Sequence, residues 1–339
     1  MAGYNVAIVG VTGMVGQTFI EVLQERKFPI KGWKLLASSR SAGKKIEIGG
    51  KDYTVEEARP ESFAGVDFAF FSAGGEISSR LAPAAVQKGA IVIDNSSVFR
   101  LDPEIPLIIP EVNPEAAFKH KGLLANPNCS TTQMVVALQP LHLAAGLKRV
   151  VVATYQSVSG AGKEAVDELT AQSAAVLNEQ TIIKERIPFQ GAAKHYQIAF
   201  NMVPQIDVFD EDDYTKEEMK MILETRKILG LPDLPITATT VRVPVFNGHS
   251  EAINVELKAP LSPQAARRAL AGFPGIKVLD NPAELLYPMP VDTVGRDEVF
   301  VGRVRYDRSV PYGLNIWVVA DNIRKGAATN SIQIAELLI

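Results

Sequence analysis

The chain has 339 residues, 47% of them hydrophobic and 22% charged, with a net charge of −3 and one cysteine. That length suggests about two domains, and the composition is that of a folded globular protein rather than a disordered or fibrous one. Dispersed charge leaves no footprint for nucleic acid, no apolar run reaches the ~18 residues of a bilayer span, and Met1-Ala2-Gly3-Tyr4-Asn5 enters a strand pattern with no export signal, so a reducing cytoplasm is expected.

Tyr4 to Val9 reads as a buried strand that ends in Gly10-Val11-Thr12-Gly13-Met14-Val15-Gly16, followed by a helix pattern through Phe19, Ile20, Val22 and Leu23. Strand, glycine turn and helix start form the arrangement a dinucleotide pyrophosphate needs. Glycine admits the phosphates close to the backbone, and the helix N-terminus supplies N–H groups and positive potential. The second strand, Trp33 to Ala37, leads into Ser38-Ser39-Arg40-Ser41. An acid that would bond the ribose hydroxyls of NAD is missing there. Hydroxyls and a guanidinium suit a 2′-phosphate, so NADP is the expected cofactor.

Further strand runs follow at Val66 to Phe71, Ala90 to Ile93 and Leu107 to Ile109, with a helix near Ile77 to Lys88. Strands ending in small and polar residues and alternating with helices predict a mostly parallel sheet whose carboxyl edge binds ligands, an edge near which Gly74, Asn95 and Arg100 would fall, each of them read more readily as a simple turn residue.

Leu123 to Ala125 leads into Asn126-Pro127-Asn128-Cys129-Ser130-Thr131-Thr132-Gln133, and then Met134, Leu138, Leu141 and Ala145 recur at helix spacing. Cys129 is thereby expected at a helix N-terminus, where unpaired N–H groups and the helix dipole stabilise a thiolate. With no second cysteine it is either inert packing or chemistry, and a nucleophile also needs a base and a substrate pocket.

Beyond this helix, Val150 to Tyr155 reads as a strand. It feeds a second glycine-rich loop, Gln156-Ser157-Val158-Ser159-Gly160-Ala161-Gly162-Lys163, which is either a plain turn or a cradle for a phosphate or the nicotinamide. Asp212 to Gly230 reads as a helix, with Thr215 and Glu218 in a capping-box pattern and Gly230 as its stop. Met219, Ile222, Leu223 and Leu229 mark its apolar face. Glu217, Lys220, Glu224 and Lys227 read as a solvated ion-pair ladder, which gives Lys220 no special role. Thr239 to Phe246 alternates as a strand containing Arg242, and Asn247-Gly248 is a turn before His249. Of the four histidines, His249, beside a glycine turn and seven residues after Arg242, is the better candidate base, the alternative being a structural histidine. Strands near Glu298 to Val304 and Leu314 to Ala320 complete a second sheet, Asp321-Asn322 closes the last of them, and Gly326 to Ile339 is helical.

Taken together, the stretches 9–16, 125–131, 155–162, 217–220 (Glu-Glu-Met-Lys), 242–245 (Arg-Val-Pro-Val), 248–251 (Gly-His-Ser-Glu) and 321–328 (Asp-Asn-Ile-Arg-Lys-Gly-Ala-Ala) resemble the bacterial aspartate-β-semialdehyde dehydrogenase family nearly end to end. The resemblance implies an α/β fold. A Rossmann-like NADP-binding domain at 1–128, completed by a C-terminal helix at 323–339, would be joined to an α+β catalytic and dimerisation domain with a mixed sheet at 129–322. It further implies that Cys129 is the nucleophile forming an acyl-thioester, that His249 is the acid/base accepting the proton, and that Gln156 orients the substrate. Arg242 would grip the α-carboxylate, Glu217 the amino end, and Arg100, Asn128 and Lys220 the phosphate. Gly10, Thr12, Gly13, Met14, Val15, Arg40, Ser41, Ser159, Gly160 and Asn322 would contact the cofactor. The implied partners are aspartate semialdehyde or aspartyl phosphate, inorganic phosphate and a second copy of the chain, with no metal, nucleic acid or membrane. The implied role lies in lysine, threonine, methionine and diaminopimelate biosynthesis. Two rival readings are N-acetyl-γ-glutamyl-phosphate reductase, with the same chemistry on a longer substrate, and a catalytically silent NADP-binding sensor.

Overall fold

The computed structural model describes residues 3–339; Met1 and Ala2, where the stretch read as lacking an export signal begins, lie outside them. The described chain forms two compact units. One runs to Asn128 and includes Ala327–Ile339, and the other is Cys129–Gly326.

The first unit is built on β1 (Tyr4–Val9), α1 (Met14–Glu25), β2 (Ile30–Ala37), a small hairpin of β3 (Lys45–Ile48) and β4 (Lys51–Thr54), β5 (Glu56–Glu57), β6 (Phe68–Phe71), α2 (Gly75–Gln87), β7 (Ile91–Asp94) and β8 (Leu123–Ala125). Apart from the hairpin, the strands form one parallel sheet in the order β5-β2-β1-β6-β7-β8. A parallel sheet covered on both faces needs strands that are apolar throughout. Along β1, Val6 and Ile8 enter a core with Phe19, Leu23 and Phe70, while Ala7 and Val9 enter a second core with Phe71, Leu81 and Ala85. The loops after β1, β2, β6, β7 and β8 therefore share the carboxyl edge.

Leu107–Ile109, expected as a strand, forms only a single bridge from Leu107 to Ala125. Pro106 and Pro110 bracket it, and the Ile109 N–H is taken by the Asn113 side chain at 2.9 Å rather than by a neighbouring strand.

The second unit comprises α3 (Cys129–Ala145), β9 (Leu147–Gln156), α4 (Lys163–Leu177), α5 (Lys216–Leu229), β10 (Ile236–Arg242), β11 (His249–Leu257), α6 (Pro263–Ala271), β12 (Ile276–Val278), α7 (Pro290–Thr293), β13 (Val299–Asp307) and β14 (Gly313–Ala320). Its sheet, β10-β9-β11-β14-β13-β12, is mixed: β10/β9 and β12/β13 are parallel and the remaining pairs antiparallel. The stripe expected on α3 understates its burial, since Ser130 through Leu138 are all buried. The helix packs against α5, α6 and four strands of the sheet.

On α5 the capping box is formed as read. Glu218 N–H donates to Thr215 Oγ1 at 3.2 Å, Thr215 N–H donates to Glu218 Oε2 at 2.7 Å, and Gly230 closes the helix at φ +65°. The helix starts at Lys216, because Asp210 to Tyr214 form a turn around the Asp210 carboxylate. Its buried face is rotated from the expected one, with Met221, Ile222, Thr225 and Ile228 buried together with Glu217, Glu218 and Glu224. The solvated ladder is thus corrected: two of its acids point inward, and Glu218 Oε1 accepts the Thr240 N–H at 2.9 Å, tying α5 to β10.

The C-terminal segment is helical as expected, and it opens on a wider turn. Arg324–Ala328 is a π-helical turn, with Gly326 N–H donating to Asp321 O at 3.2 Å, and α8 (Thr329–Glu336) follows. In the first unit, α8 buries Ile332, Ile334 and Ala335 in the α1 core, and Arg26 pairs with Glu336 at 2.6 Å. Among the described residues no helix is long and apolar enough to cross a membrane.

Candidate active site

In the first unit, the turn after β1 begins at Gly10, whose φ of +87° is one that L side chains resist. A Cβ there, or at Gly16, would collide with the Ser72 carbonyl or the Gly10 carbonyl respectively. Thr12 and Gly13 are exposed, Met14 and Val15 partly so, and Gly13 caps α1 without any side-chain hydrogen bond. The first-turn N–H groups of α1 thus face an open glycine turn, a cradle that fits a pyrophosphate. Arg40 is exposed and Ser41 half-buried, in the turn that follows β2, the strand beside β1. Arg100 and Asn128 are buried; Arg100 Nη2 donates to Asn95 O at 2.7 Å. Behind them, Ser78 and Ser96 donate to the buried Asp94 carboxylate. Burial raises that carboxyl, against the lowering effect of both serines and of Arg100.

In the second unit, Cys129 is the first residue of α3 and is partly exposed. It is also closely packed: a Cβ on Gly326 would lie 2.6 Å from Cys129 Cβ and 3.0 Å from its Cα. Only glycine on the π-turn lets the two backbones approach this far. Gly326→Ala is therefore expected to displace Cys129, lowering kcat on the order of 100-fold and stability by about 1–3 kcal/mol. Steady-state kinetics and thermal melts check this, and parental turnover would show that the contact does not set the thiol's position.

His249 opens β11 and is fully buried. Its Nδ1 accepts the Ser157 backbone N–H at 3.1 Å and lies 3.0 Å from Ser157 Oγ. A backbone N–H can only donate, so the neutral ring carries its proton on Nε2. Nε2 itself has no partner among the described residues. Gly160 faces this edge, since a Cβ there would lie 3.2 Å from His249 Nε2 and 3.0 Å from Arg242 Nη1. Burial, and then the Arg242 charge, push the imidazole down to about 3, with Glu217 and the Gly248 backbone opposing. Arg242, at the end of β10, is 4% exposed and donates from Nη1 to Ser157 O at 2.7 Å. Its Nε is a buried donor with no partner among the described residues, as a site for an incoming carboxylate requires. Burial lowers the guanidinium, and the charges of Glu217 and Cys129 counter that shift.

A polar relay runs from the end of β9 to α5. Thr154 Oγ1 donates to Gln156 Oε1 at 3.1 Å, Gln156 Nε2 donates to Glu217 Oε1 at 3.1 Å, and Lys220 Nζ donates to Glu217 Oε2 at 3.1 Å and Asp207 Oδ2 at 3.0 Å. Burial alone would lower Lys220, yet Glu217 and Asp207 together raise it. An ammonium has three donors, and these two bonds leave one to offer. Asn322 ties the loops together: Oδ1 accepts from Ser157 Oγ at 3.1 Å and Gly248 N at 3.0 Å, and Nδ2 donates to Ser159 Oγ at 3.0 Å.

The second unit thus gathers Cys129, Gln156, Ser159, Gly160, Glu217, Lys220, Arg242, His249 and Asn322. Gly10, Thr12 to Val15, Arg40, Ser41, Arg100 and Asn128 belong to the first. Sequence reasoning passed over Ser157, which sets the His249 tautomer, Asp207, which holds Lys220, and Gly326. Only Ser157 carried a signal, as part of the loop that precedes a helix.

Residues 5–120 match the family model described as semialdehyde dehydrogenase, NAD binding domain, and residues 138–325 match semialdehyde dehydrogenase, dimerisation domain. The chain is 55% identical to the aspartate-semialdehyde dehydrogenase of Aquifex aeolicus, over 99% of this chain and 98% of that protein. It is 52% identical to that of Bacillus subtilis, over 99% and 97%. Its fold is similar to the crystal structure of aspartate semialdehyde dehydrogenase II of Vibrio cholerae complexed with ASA, with a TM-score of 0.94 and 49% identity, covering 100% of this chain and 98% of that one. These matches favour neither the reductase for a longer acetylated substrate nor the silent sensor.

Proposed function

The chain belongs to the aspartate-semialdehyde dehydrogenase family, and from that premise we propose how its residues carry out the reversible, NADP-dependent conversion of L-aspartate 4-semialdehyde and phosphate to L-4-aspartyl phosphate. The observation that carries the reading is a partly exposed thiol at a helix start, in the same unit as a buried imidazole and a buried arginine with an unused donor.

The helix start and the Arg242 charge favour a thiolate at Cys129. The thiolate adds to the aldehyde carbon, giving a thiohemiacetal. His249 Nε2–H donates a hydrogen bond to the oxygen as it becomes anionic. The Ser157 N–H at Nδ1 supports this donor role, since it leaves the proton of the neutral ring on Nε2. When bound, the nicotinamide supplies the hydride acceptor that turns the thiohemiacetal into a thioester. Phosphate then adds to the thioester carbon, Cys129 leaves as thiolate, and the phosphate's proton is released, so that one difficult step becomes two easier ones.

Arg242 Nε and its free edge hold the α-carboxylate, Glu217 the amino group and Gln156 the reacting end. The third donor of Lys220, with Arg100 and Asn128, serves the phosphate. Residues Gly10 and Thr12 to Val15 hold the pyrophosphate, Arg40 and Ser41 the 2′-phosphate, and Ser159, Gly160 and Asn322 the nicotinamide end. Residues 138–325 assemble the homodimer, and the enzyme works in the cytoplasm on the route to lysine, threonine, methionine and diaminopimelate.

A single assay tests the reading. Purified protein with the semialdehyde, phosphate and NADP⁺ should form NADPH, and omitting phosphate should limit the yield to stoichiometric acylation of the enzyme; no NADPH at all would refute it. Arg40→Ala should raise the KM for NADPH about tenfold while leaving that for NADH nearly unchanged, and equal weakening of both would remove the 2′-phosphate assignment.

A further inference from the structure

His249, Glu251, Ile253 and Val255 alternate onto one face of β11, and all four are buried. The helix that begins with Cys129 packs against this strand. Gln133 lies one helical turn after Cys129 and so on the same side of α3. It is buried, and its Nε2 donates to the His249 main-chain oxygen at 3.3 Å. Its side chain is also the polar neighbour of the Glu251 carboxyl.

Glu251 has no solvent exposure, and neither of its oxygens has a hydrogen-bond partner among the described residues. Gln133 Oε1 likewise lacks a donor. An ionised carboxylate without a cation or donor is among the costliest groups to bury, and a buried acid answers by keeping its proton. The second N–H of Gln133 can serve a carboxyl oxygen but not the Gln133 oxygen itself, which is still short of one donor hydrogen. A proton on the carboxyl supplies it.

We propose that Glu251 is a neutral carboxylic acid that donates to Gln133 Oε1, and that the Glu251–Gln133 pair is a positioning device fixing the His249 main chain and with it the aim of Nε2. Burial moves the carboxyl well above the ordinary carboxylate range, tempered by Gln133. The device clamps the helix bearing the nucleophile to the strand bearing the imidazole through one glutamine, whose amide nitrogen serves His249 and whose amide oxygen serves Glu251. The inference rests on the reading of His249 as the donor to the reacting oxygen.

The test uses the full-length enzyme with Glu251→Gln and Glu251→Ala. Infrared difference spectra between parent and Glu251→Gln at neutral pH should show loss of one protonated-carboxyl C=O band. Glu251→Gln, neutral and still a donor, should keep kcat within about threefold, whereas Glu251→Ala should lower it about 10- to 100-fold with the semialdehyde KM little changed. Absence of the protonated band, parental kcat in Glu251→Ala, or equal damage from both variants would each overturn the proposal. If Glu251→Ala does not fold, the infrared band and the Glu251→Gln rate decide alone. The band is read without turnover, so it stands apart from the function assignment, which His249→Asn tests separately.

Discussion

Cys129→Ala is expected to reduce semialdehyde-dependent NADPH formation on the order of 10⁴-fold or more, the scale seen when a covalent nucleophile is removed from a working site. Alanine is a strong helix former and leaves the start of α3 intact. Cys129 is not among the residues assigned to the cofactor, so NADP affinity by calorimetry should be unchanged. Stability should shift little, because the side chain is only partly buried and the lost sulfur is a single atom. This combination separates chemistry from packing. A core cysteine would show the reverse pattern, with a melting-point loss and retained turnover. Since the chain has one cysteine, iodoacetamide should label the parent at a single site, faster than a free thiol, and should not label the variant. Parental turnover in Cys129→Ala would refute the nucleophile assignment.

His249→Asn should lower kcat about 10²- to 10⁴-fold with a modest effect on KM, because the hydrogen bond to the reacting oxygen strengthens as charge develops. The folded-state value of about 3 against an ordinary 6.5 has a second consequence. The folded chain refuses a proton that the unfolded chain binds below about pH 6.5. Stability from this group is therefore full above that pH and is lost progressively as pH falls toward the folded value. By linkage the loss is about 2 kcal/mol at about pH 5. His249→Asn should lack this slope, so the difference in urea-unfolding free energy between parent and variant should change by about that amount between neutral and mildly acidic pH. A pH-independent difference would show that the ring titrates normally and is not held neutral.

What was legible in the sequence followed from local rules. The turn at Gly10, the start of α3 at Cys129 and the box at Thr215 and Glu218 each depend on residues within a few positions of one another, and each was formed as read. The misread elements depend on distant neighbours. Alternating charge on α5 looked like a solvated face because the sequence does not say which side the sheet will cover, and Glu217 turned inward to meet Gln156. Leu107–Ile109 had a strand's composition, but its hydrogen bonds were claimed by Asn113 and Ala125. The need for glycine at 326 comes entirely from Cys129, far away in the chain. Ser157 could be seen as a loop residue, yet its part in choosing the His249 tautomer depends on β9 and β11 lying side by side.

The discontinuous first unit bears on how the protein is made. Its α1-side core is lined by Val6, Ile8 and Phe19 but also by Ile332, Ile334 and Ala335. A ribosome adds roughly 5–20 residues per second, so this core waits many seconds for its last wall, while all of Cys129–Gly326 emerges before it. During that interval the nascent chain shows apolar surface that no later shortcut can cover. A chain that stopped before Thr329 would leave the surface bare permanently, and such a product should be a preferred client of chaperones and proteases rather than a weakened enzyme.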